Sequence, residues 1–148
     1  MTGDVRLVDF APEHQAQTAE LINRNLGLRF GVRDDSKNPD LVDIRTSYTG
    51  QTFLVALLEG EVVATGALIS REEETGQIVR MHTAPEVRSR GIGTRLLSAL
   101  EQRARARGMT TVELNTEVPW ADAIRFYLGN GYVETHRDTA DVYFCKRL

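Results

Sequence analysis

Between Gln77 and Thr116 the hydrophobic period changes twice, and this restricts the folds open to the chain more than any other feature. Residues 77–83 read as a strand, ended by Pro85. Ile92, Leu96, Leu97, Leu100 and Ala104 then recur at helical spacing, and Gly108 stands where a helix closes. Residues 111–116 return to strand character. A strand, a helix and a strand of this length make a parallel, right-handed crossover. Such a unit sets a helix N-terminus at the carboxyl end of a sheet, where open α/β sheets bind ligands.

The flanking segments predict antiparallel neighbours. Residues 5–10 read as a short strand, and Pro12 opens a helix to about Leu26, with Ala16, Ala19, Leu21 and Ile22 on one face. A polar loop over 31–39 leads into a shorter helix over 40–47. Residues 53–58 and 62–70 form a hairpin around Glu59-Gly60. A helix over 121–128 ends at Gly129-Asn130-Gly131, and 132–135 and 141–146 are closing strands. The expected fold is α/β (α+β mixed): a central mixed, mostly antiparallel sheet flanked by helices, in the order β-α-α-β-β-β-α-β-α-β-β. A length of 148 residues, with no internal repeat, predicts one domain over 1–148.

Composition removes several classes of function. Apolar residues at 41% and charged residues at 26% are globular values, and the longest apolar runs fall far short of a membrane span. The first ten residues carry Asp4, Arg6 and Asp9 in place of a leader's apolar run, so a cytoplasmic protein is expected, with no membrane partner. One cysteine, Cys145, forms no internal disulfide and is too few for a cysteine metal site, so no metal is expected. A net charge of −3 and 7% aromatics argue against nucleic acid as a partner. The charge is uneven, however: residues 87–108 hold six arginines against one acid, Glu101. Arg95, Arg103 and Arg107 point away from the leucine stripe and are expected on the surface.

The chemistry concentrates where strand turns into helix, at Arg88-Ser89-Arg90-Gly91-Ile92-Gly93-Thr94. Unpaired N–H groups and the helix dipole bind phosphate, and glycines let the backbone approach its oxygens. The chain has neither the dinucleotide fingerprint G-x-G-x-x-G nor the P-loop pattern ending in G-K-[ST]. The expected anion is therefore carried by some other ligand, bound midway through the chain.

Residues 81–93, M-H-T-A-P-E-V-R-S-R-G-I-G, resemble the strand-turn-helix motif for acetyl-CoA in the GNAT N-acetyltransferase superfamily. Residues 123–132, A-I-R-F-Y-L-G-N-G-Y, are similar to that family's A-x-x-F-Y-x-x-x-G-[F/Y] segment. The order of elements agrees as well, and structural context is what gives such motifs their specificity. The resemblance implies an acetyl-CoA-dependent N-acetyltransferase. It would move the acetyl group directly to a primary amine of a small molecule or peptide, through a tetrahedral intermediate. Amides from Ser89 to Thr94, with Arg88, Arg90, Gly91, Ile92 and Gly93 among them, are expected to hold the pyrophosphate. Met81, His82 and Thr83 are expected to line the pantetheine arm, admitted by a splay between this strand and the strand over 111–116. Tyr127 matches the family's usual general acid, since a phenol can hydrogen-bond or protonate a departing thiolate.

Three positions, 77, 115 and 120, depart from the family pattern. Asn115 stands where some members carry a catalytic carboxylate, and Gln77 where others carry a glutamate; Asn115 is expected beside the coenzyme instead. Glu113, on the same strand face as Asn115, is the expected base, with Glu117, His82 and a water relay as alternatives. Trp120, where many relatives have a coenzyme-contacting Asn, is expected to pack. The acceptor is expected between the loop over 29–39 and the turn over 137–141. Asp34 and Asp35 there suit a cationic acceptor, whereas Arg29, Arg33 and Arg137 suit one that also bears an anionic group. Missing carboxylates at 77 and 115 leave a rival reading, a non-catalytic acyl-CoA-binding sensor or partner subunit. Many relatives form homodimers, and no residue pattern here specifies one.

Overall fold

The computed structural model describes residues 3–148. Seven strands form a single sheet in the order β1-β2-β3-β4-β5-β7-β6. They are β1 (Val5–Asp9), β2 (Thr52–Leu58), β3 (Glu61–Glu72), β4 (Thr75–Thr83), β5 (Thr111–Glu117), β6 (Val133–Arg137) and β7 (Asp141–Arg147). The helices are α1 (Gln15–Phe30), α2 (Ile44–Ser47), α3 (Ile92–Ala106) and α4 (Ala121–Gly129). The element order is the one read from the sequence, and the sheet is mixed and mostly antiparallel as expected.

Two helices differ from their expected limits for local reasons. α1 runs past Gly27 to Phe30, because Gly31, at φ 80°, takes the left-handed position that ends the helix. The expected helix over 40–47 is shorter: a 3₁₀ turn at Pro39–Leu41 is followed by a fresh start at Asp43, whose carboxylate accepts from the Thr46 amide.

α1 and α3 both lie against β3 and β4 and make no substantial contact with each other, so they cover opposite faces of the sheet. The leucine stripe accounts for the α3 face: Leu96, Leu97, Leu100 and Ala104 are all buried against it. β3 admits this helix closely at Gly66, where a Cβ would stand 2.6 Å from Met81 Sδ and 2.9 Å from Leu100 Cδ1. The outward arginines of α3 are not free. Arg103 makes a bidentate pair with Asp9 of β1 at 2.8 and 2.9 Å, Arg95 donates to the Val5 carbonyl, and Arg107 donates to Ser70 Oγ. These ties fasten α3 to two strands, to both ends of β1 and to β3.

Among the described residues β4 and β5 are the one parallel pair, and they pair over three residues only: Thr75 with Thr111, Gly76 with Val112, Gln77 with Glu113. Beyond Gln77 the strands part, while β5 keeps β7 as partner along its whole length. The opened sheet is held from below by a buried charge cluster. Lys146 Nζ of β7 donates to both Glu101 oxygens of α3, at 3.1 and 3.2 Å, and to the Asn130 carbonyl. Tyr132 Oη donates to Glu101 Oε2 at 2.8 Å. One buried acid thus joins α3, β7 and the turn after α4.

Glu101 is 5% exposed, so removing its cation strands a charge away from water. Lys146→Met is expected to cost about 3 kcal/mol in urea unfolding. Glu101→Leu added to it is expected to recover part of that loss, because the orphaned carboxylate is then gone; equal stability of both variants and wild type in the urea midpoint would show the cluster to be inert.

Candidate active site

A cavity of about 480 Å³ opens where β4 and β5 part. α1 contributes Asn25 and Arg29, β4 contributes Met81, His82 and Thr83, and β5 contributes Thr116. The remaining wall is the turn and first residues of α3 on one side and α4, with Ala123, Phe126 and Tyr127, on the other. The cavity therefore exists because the parallel pair is short.

The turn from β4 to α3 is shaped for an anion. Pro85–Val87 forms a 3₁₀ turn with Val87 buried beneath it. Ser89 at φ 69° and Gly91 at φ 77° are both left-handed, separated by a single residue. Alternation of this kind aims successive N–H groups into one concavity. The first intrahelical bond comes from Arg95 N to Gly91 O at 3.1 Å, so the amides of residues 92–94 are left to an outside acceptor. No acid stands in the first turn of α3 to compete. Arg88, Ser89, Gly91, Ile92, Gly93 and Thr94 all line the cavity, whereas Arg90 projects into solvent outside it. Arg88 Nε instead reaches the Thr83 carbonyl at 3.3 Å.

β4 reaches the cavity through a bulge. Its register with β3 skips from Ala67↔Val79 to Thr65↔His82, so Arg80 and Met81 together stand opposite Gly66. Arg80 has φ 56°, a conformation that costs a residue with a Cβ about 1–2 kcal/mol. With β3 skipped on one side and β5 diverged on the other, the Met81 backbone has no strand partner.

Tyr127 is 8% exposed and sits among Phe126, Tyr132 and Phe144, with ring centroids 5.1, 5.9 and 6.0 Å away. Burial pushes its phenol above the usual range, against a weaker opposing pull from Arg29. The group is therefore a standing proton donor at neutral pH. His82 moves the other way: burial first, then the cations Arg80, Arg29 and Arg88, lower it to about 3. A neutral imidazole of that basicity is a poor acceptor for an ammonium proton.

The other residues singled out in the sequence are placed less centrally. Glu113 lies at the paired end of β4 and β5, exposed, on the face of β5 opposite to the cavity-lining Thr116. Asn115 shares that face and donates to Asp141 at 3.3 Å. Neither lines the cavity. Asp34 accepts from Ser36 N and Oγ, at 3.1 and 2.6 Å, closing its own turn. Asp35 is paired with Arg33, which also clasps Glu20 of α1. Both aspartates are thus engaged within their loop. Arg137 is likewise held by Glu134. Glu117 has a different setting: it stands in register with Asp141 at the end of β5, and burial, then that neighbouring carboxylate, raises its pKa.

Sequence reasoning missed the α1 wall. Arg29 makes a bidentate pair with Asp122 of α4 at 2.7 and 2.8 Å, and its guanidinium lies 4.8 Å from the centre of the Trp120 ring. Trp120 also packs on Phe30 at 5.5 Å. The indole therefore joins α1 to α4 across the mouth of the cavity. Asn25 and Arg29 are four apart on one helical face, a signal present in the sequence, but which face turns to the cavity is a matter of packing.

Comparison with known proteins agrees with this geometry. The model of the Acetyltransferase (GNAT) family matches residues 12–132. An "IAA acetyltransferase" of Azospirillum brasilense is 34% identical over 120 residues, 80% of this chain and 76% of that protein. An "Aminoalkylphosphonate N-acetyltransferase" of Salmonella typhimurium is 35% identical over 89 residues, 57% of this chain and 58% of that protein's own length. Among solved structures, the PaiA N-acetyltransferase of Thermoplasma acidophilum, in complex with coenzyme A, superposes with a TM-score of 0.86. That match has 18% identity and covers 98% of this chain and 99% of the other. A cavity formed by strand divergence, an amide-lined turn at its floor and a family match across 12–132 lead to one assignment: the chain belongs to the GNAT acetyltransferase family.

Proposed function

We propose that the chain acts as one cytoplasmic domain that transfers an acetyl group from acetyl-CoA to a primary amine of a small molecule or peptide. The observation that carries this reading is the convergence, in one cavity, of the amide cradle at α3, the unpaired backbone of Met81 and the phenol of Tyr127. Among the described residues no helix is long and apolar enough to cross a membrane.

The residues divide the work by position. Amides of residues 89–94 hold the pyrophosphate, with Arg88 released from the Thr83 carbonyl to add charge; Arg90 acts on approach from outside. The exposed backbone of Met81 and Thr83 pairs with the extended arm as a further strand. A backbone N–H held at the bulge is placed to hydrogen-bond the thioester oxygen, and fixed donors of this kind supply the largest share of catalysis in acyl transfer. Tyr127, protonated by its burial, gives its hydrogen bond to the leaving thiolate. The amine's proton leaves towards solvent; Glu117 shares the outer face of β5 with Glu113 and, like it, stands off the cavity lining, but it lies at the end of β5 where β4 has parted, and so is the nearer of the two to the opening. Tyr127 disfavours the sensor reading, because ligand binding alone gives no reason to bury a proton donor in the cavity.

Calorimetric titration with acetyl-CoA is expected to show one saturable site, weakened at least about tenfold by Arg88→Ala and abolished by Gly91→Glu, which puts a carboxylate at the cradle. Absence of binding by the wild type would remove the reading. Thiol release over a panel of primary amines then identifies an acceptor. With it, Tyr127→Phe is expected to lower kcat about a hundredfold and leave acetyl-CoA affinity unchanged. Glu117 titrates above the usual carboxylate range, and the base must be ionised, so activity rises with pH through its pKa. Glu117→Gln is expected to abolish that acid limb of kcat/KM, whereas His82→Gln and Glu113→Gln leave it in place.

A further inference from the structure

The bulge in β4 carries an arginine at the position whose backbone favours glycine, and that arginine's side chain leaves the strand for a different part of the molecule. Arg80 donates to both carboxylate oxygens of Asp40, at 2.6 and 3.1 Å, with the two side chains only 20% and 28% exposed. Tyr48 Oη donates to the same carboxylate at 2.6 Å, and Asn38 Oδ1 accepts from the guanidinium at 3.3 Å. On the strand side, Thr65 Oγ1 donates to the Arg80 carbonyl at 2.7 Å. The residue of unfavourable φ is thereby gripped at both ends, from β3 through its carbonyl and from the 38–48 segment through its guanidinium.

We infer that Arg80 is a positioning residue whose clamp by Asp40 holds the β4 bulge in register and so ties the 38–48 segment to the backbone that meets the acyl group. The inference rests on the acetyl-transfer reading. Without the clamp, a residue with a Cβ at position 80 relaxes towards extended φ. The pairing of β4 with β3 then tends to the regular register, in which each residue has one partner and a slip of one position exchanges the faces of the strand. Met81 loses its unpaired backbone, and with it the hydrogen bond to the thioester oxygen. Strain at a site of this kind persists only while its surroundings over-determine it, and here the determining contacts come from a segment distant in sequence.

Glycine separates the two functions of Arg80, since it adopts positive φ at no cost and carries no guanidinium. Four variants are compared with wild type: Arg80→Ala, Arg80→Gly, Asp40→Asn, and Arg80→Gly with Asp40→Asn. The acyl readout is the infrared carbonyl stretch of bound acetyl-CoA labelled with ¹³C at the carbonyl, which needs no acceptor. The second readout is amide hydrogen exchange across 38–48 in the free protein. Wild type is expected to lower the stretch relative to the solution value. Arg80→Ala and Asp40→Asn return it towards that value, while Arg80→Gly and the double variant keep it lowered. Exchange over 38–48 rises at least about tenfold in all four, because all lose the clamp.

A stretch equally lowered in Arg80→Ala and wild type overturns the inference, as does one lost equally in Arg80→Gly and Arg80→Ala. Unchanged exchange over 38–48 in Asp40→Asn overturns it too, and this arm stands even where Arg80→Ala fails to fold. A wild type that binds no acetyl-CoA overturns the acetyl-transfer reading instead, a result distinct from any pattern among the variants.

Discussion

Three residues of parallel pairing between β4 and β5, and no more, are the constraint from which the rest of the site follows. A longer ladder would close the sheet and bury the space that becomes the cavity. A shorter one would leave the two halves of the sheet, β1 to β4 and β5 to β7, without a common edge. The three pairs suffice because other contacts carry the join. α3 leans on β2, β3 and β4, and its Glu101 reaches across to Lys146 of β7 and Tyr132. Across the opening itself, Arg29 of α1 reaches Asp122 of α4, which packs on the same side as α3. The opening is bridged at both of these places, so it can persist without collapsing.

The arginines illustrate how the same charge takes on different roles through its neighbours. Sixteen arginines are spread over an acidic chain, and five of them, Arg24, Arg29, Arg33, Arg80 and Arg103, are matched to carboxylates elsewhere in the chain. Arg103 and Asp9, or Arg33 with Glu20 and Asp35, are exposed pairs that add little stability individually but fix how elements sit against one another. Arg80 and Asp40 are less accessible, and their mutual hydrogen bonds are correspondingly less screened. Burial pushes the Asp40 carboxyl up, and the bonds from Arg80 and Tyr48 outweigh it, leaving the carboxyl below its usual value. The positive stretch seen in residues 87–108 is thus divided: Arg95, Arg103 and Arg107 hold the fold, while Arg88 faces the cavity.

Legibility in the sequence followed the range of the interactions involved. Ile92, Leu96, Leu97, Leu100 and Ala104 announced α3, and Gly91 with Gly93 announced its N-terminus, because helical period and capping act within a few residues. Tyr127 was legible through a motif that belongs to one helix turn. Glu113 and Asn115 show the limit of that approach. Alternation along β5 correctly puts them on one face, yet nothing in the local pattern tells how far the β4 pairing extends or which face looks into the cavity. Asp34 and Asp35 are similar: their type suggested recognition of a cation, and their neighbours Ser36 and Arg33 use them instead.

The sequence by itself determined the order of elements, the crossover and the amide-lined turn, since each depends on spacing and on residues with restricted or permissive backbones. It did not determine where β4 and β5 part, that Arg80 sits in a bulge, or that Asn25, Arg29 and Trp120 complete the cavity wall. Those features join residues tens of positions apart, as Arg80 joins Asp40 and Arg29 joins Asp122. Such pairings come into being only when the packed helices and the opened sheet bring their partners within a few ångströms, so tertiary structure alone decided them.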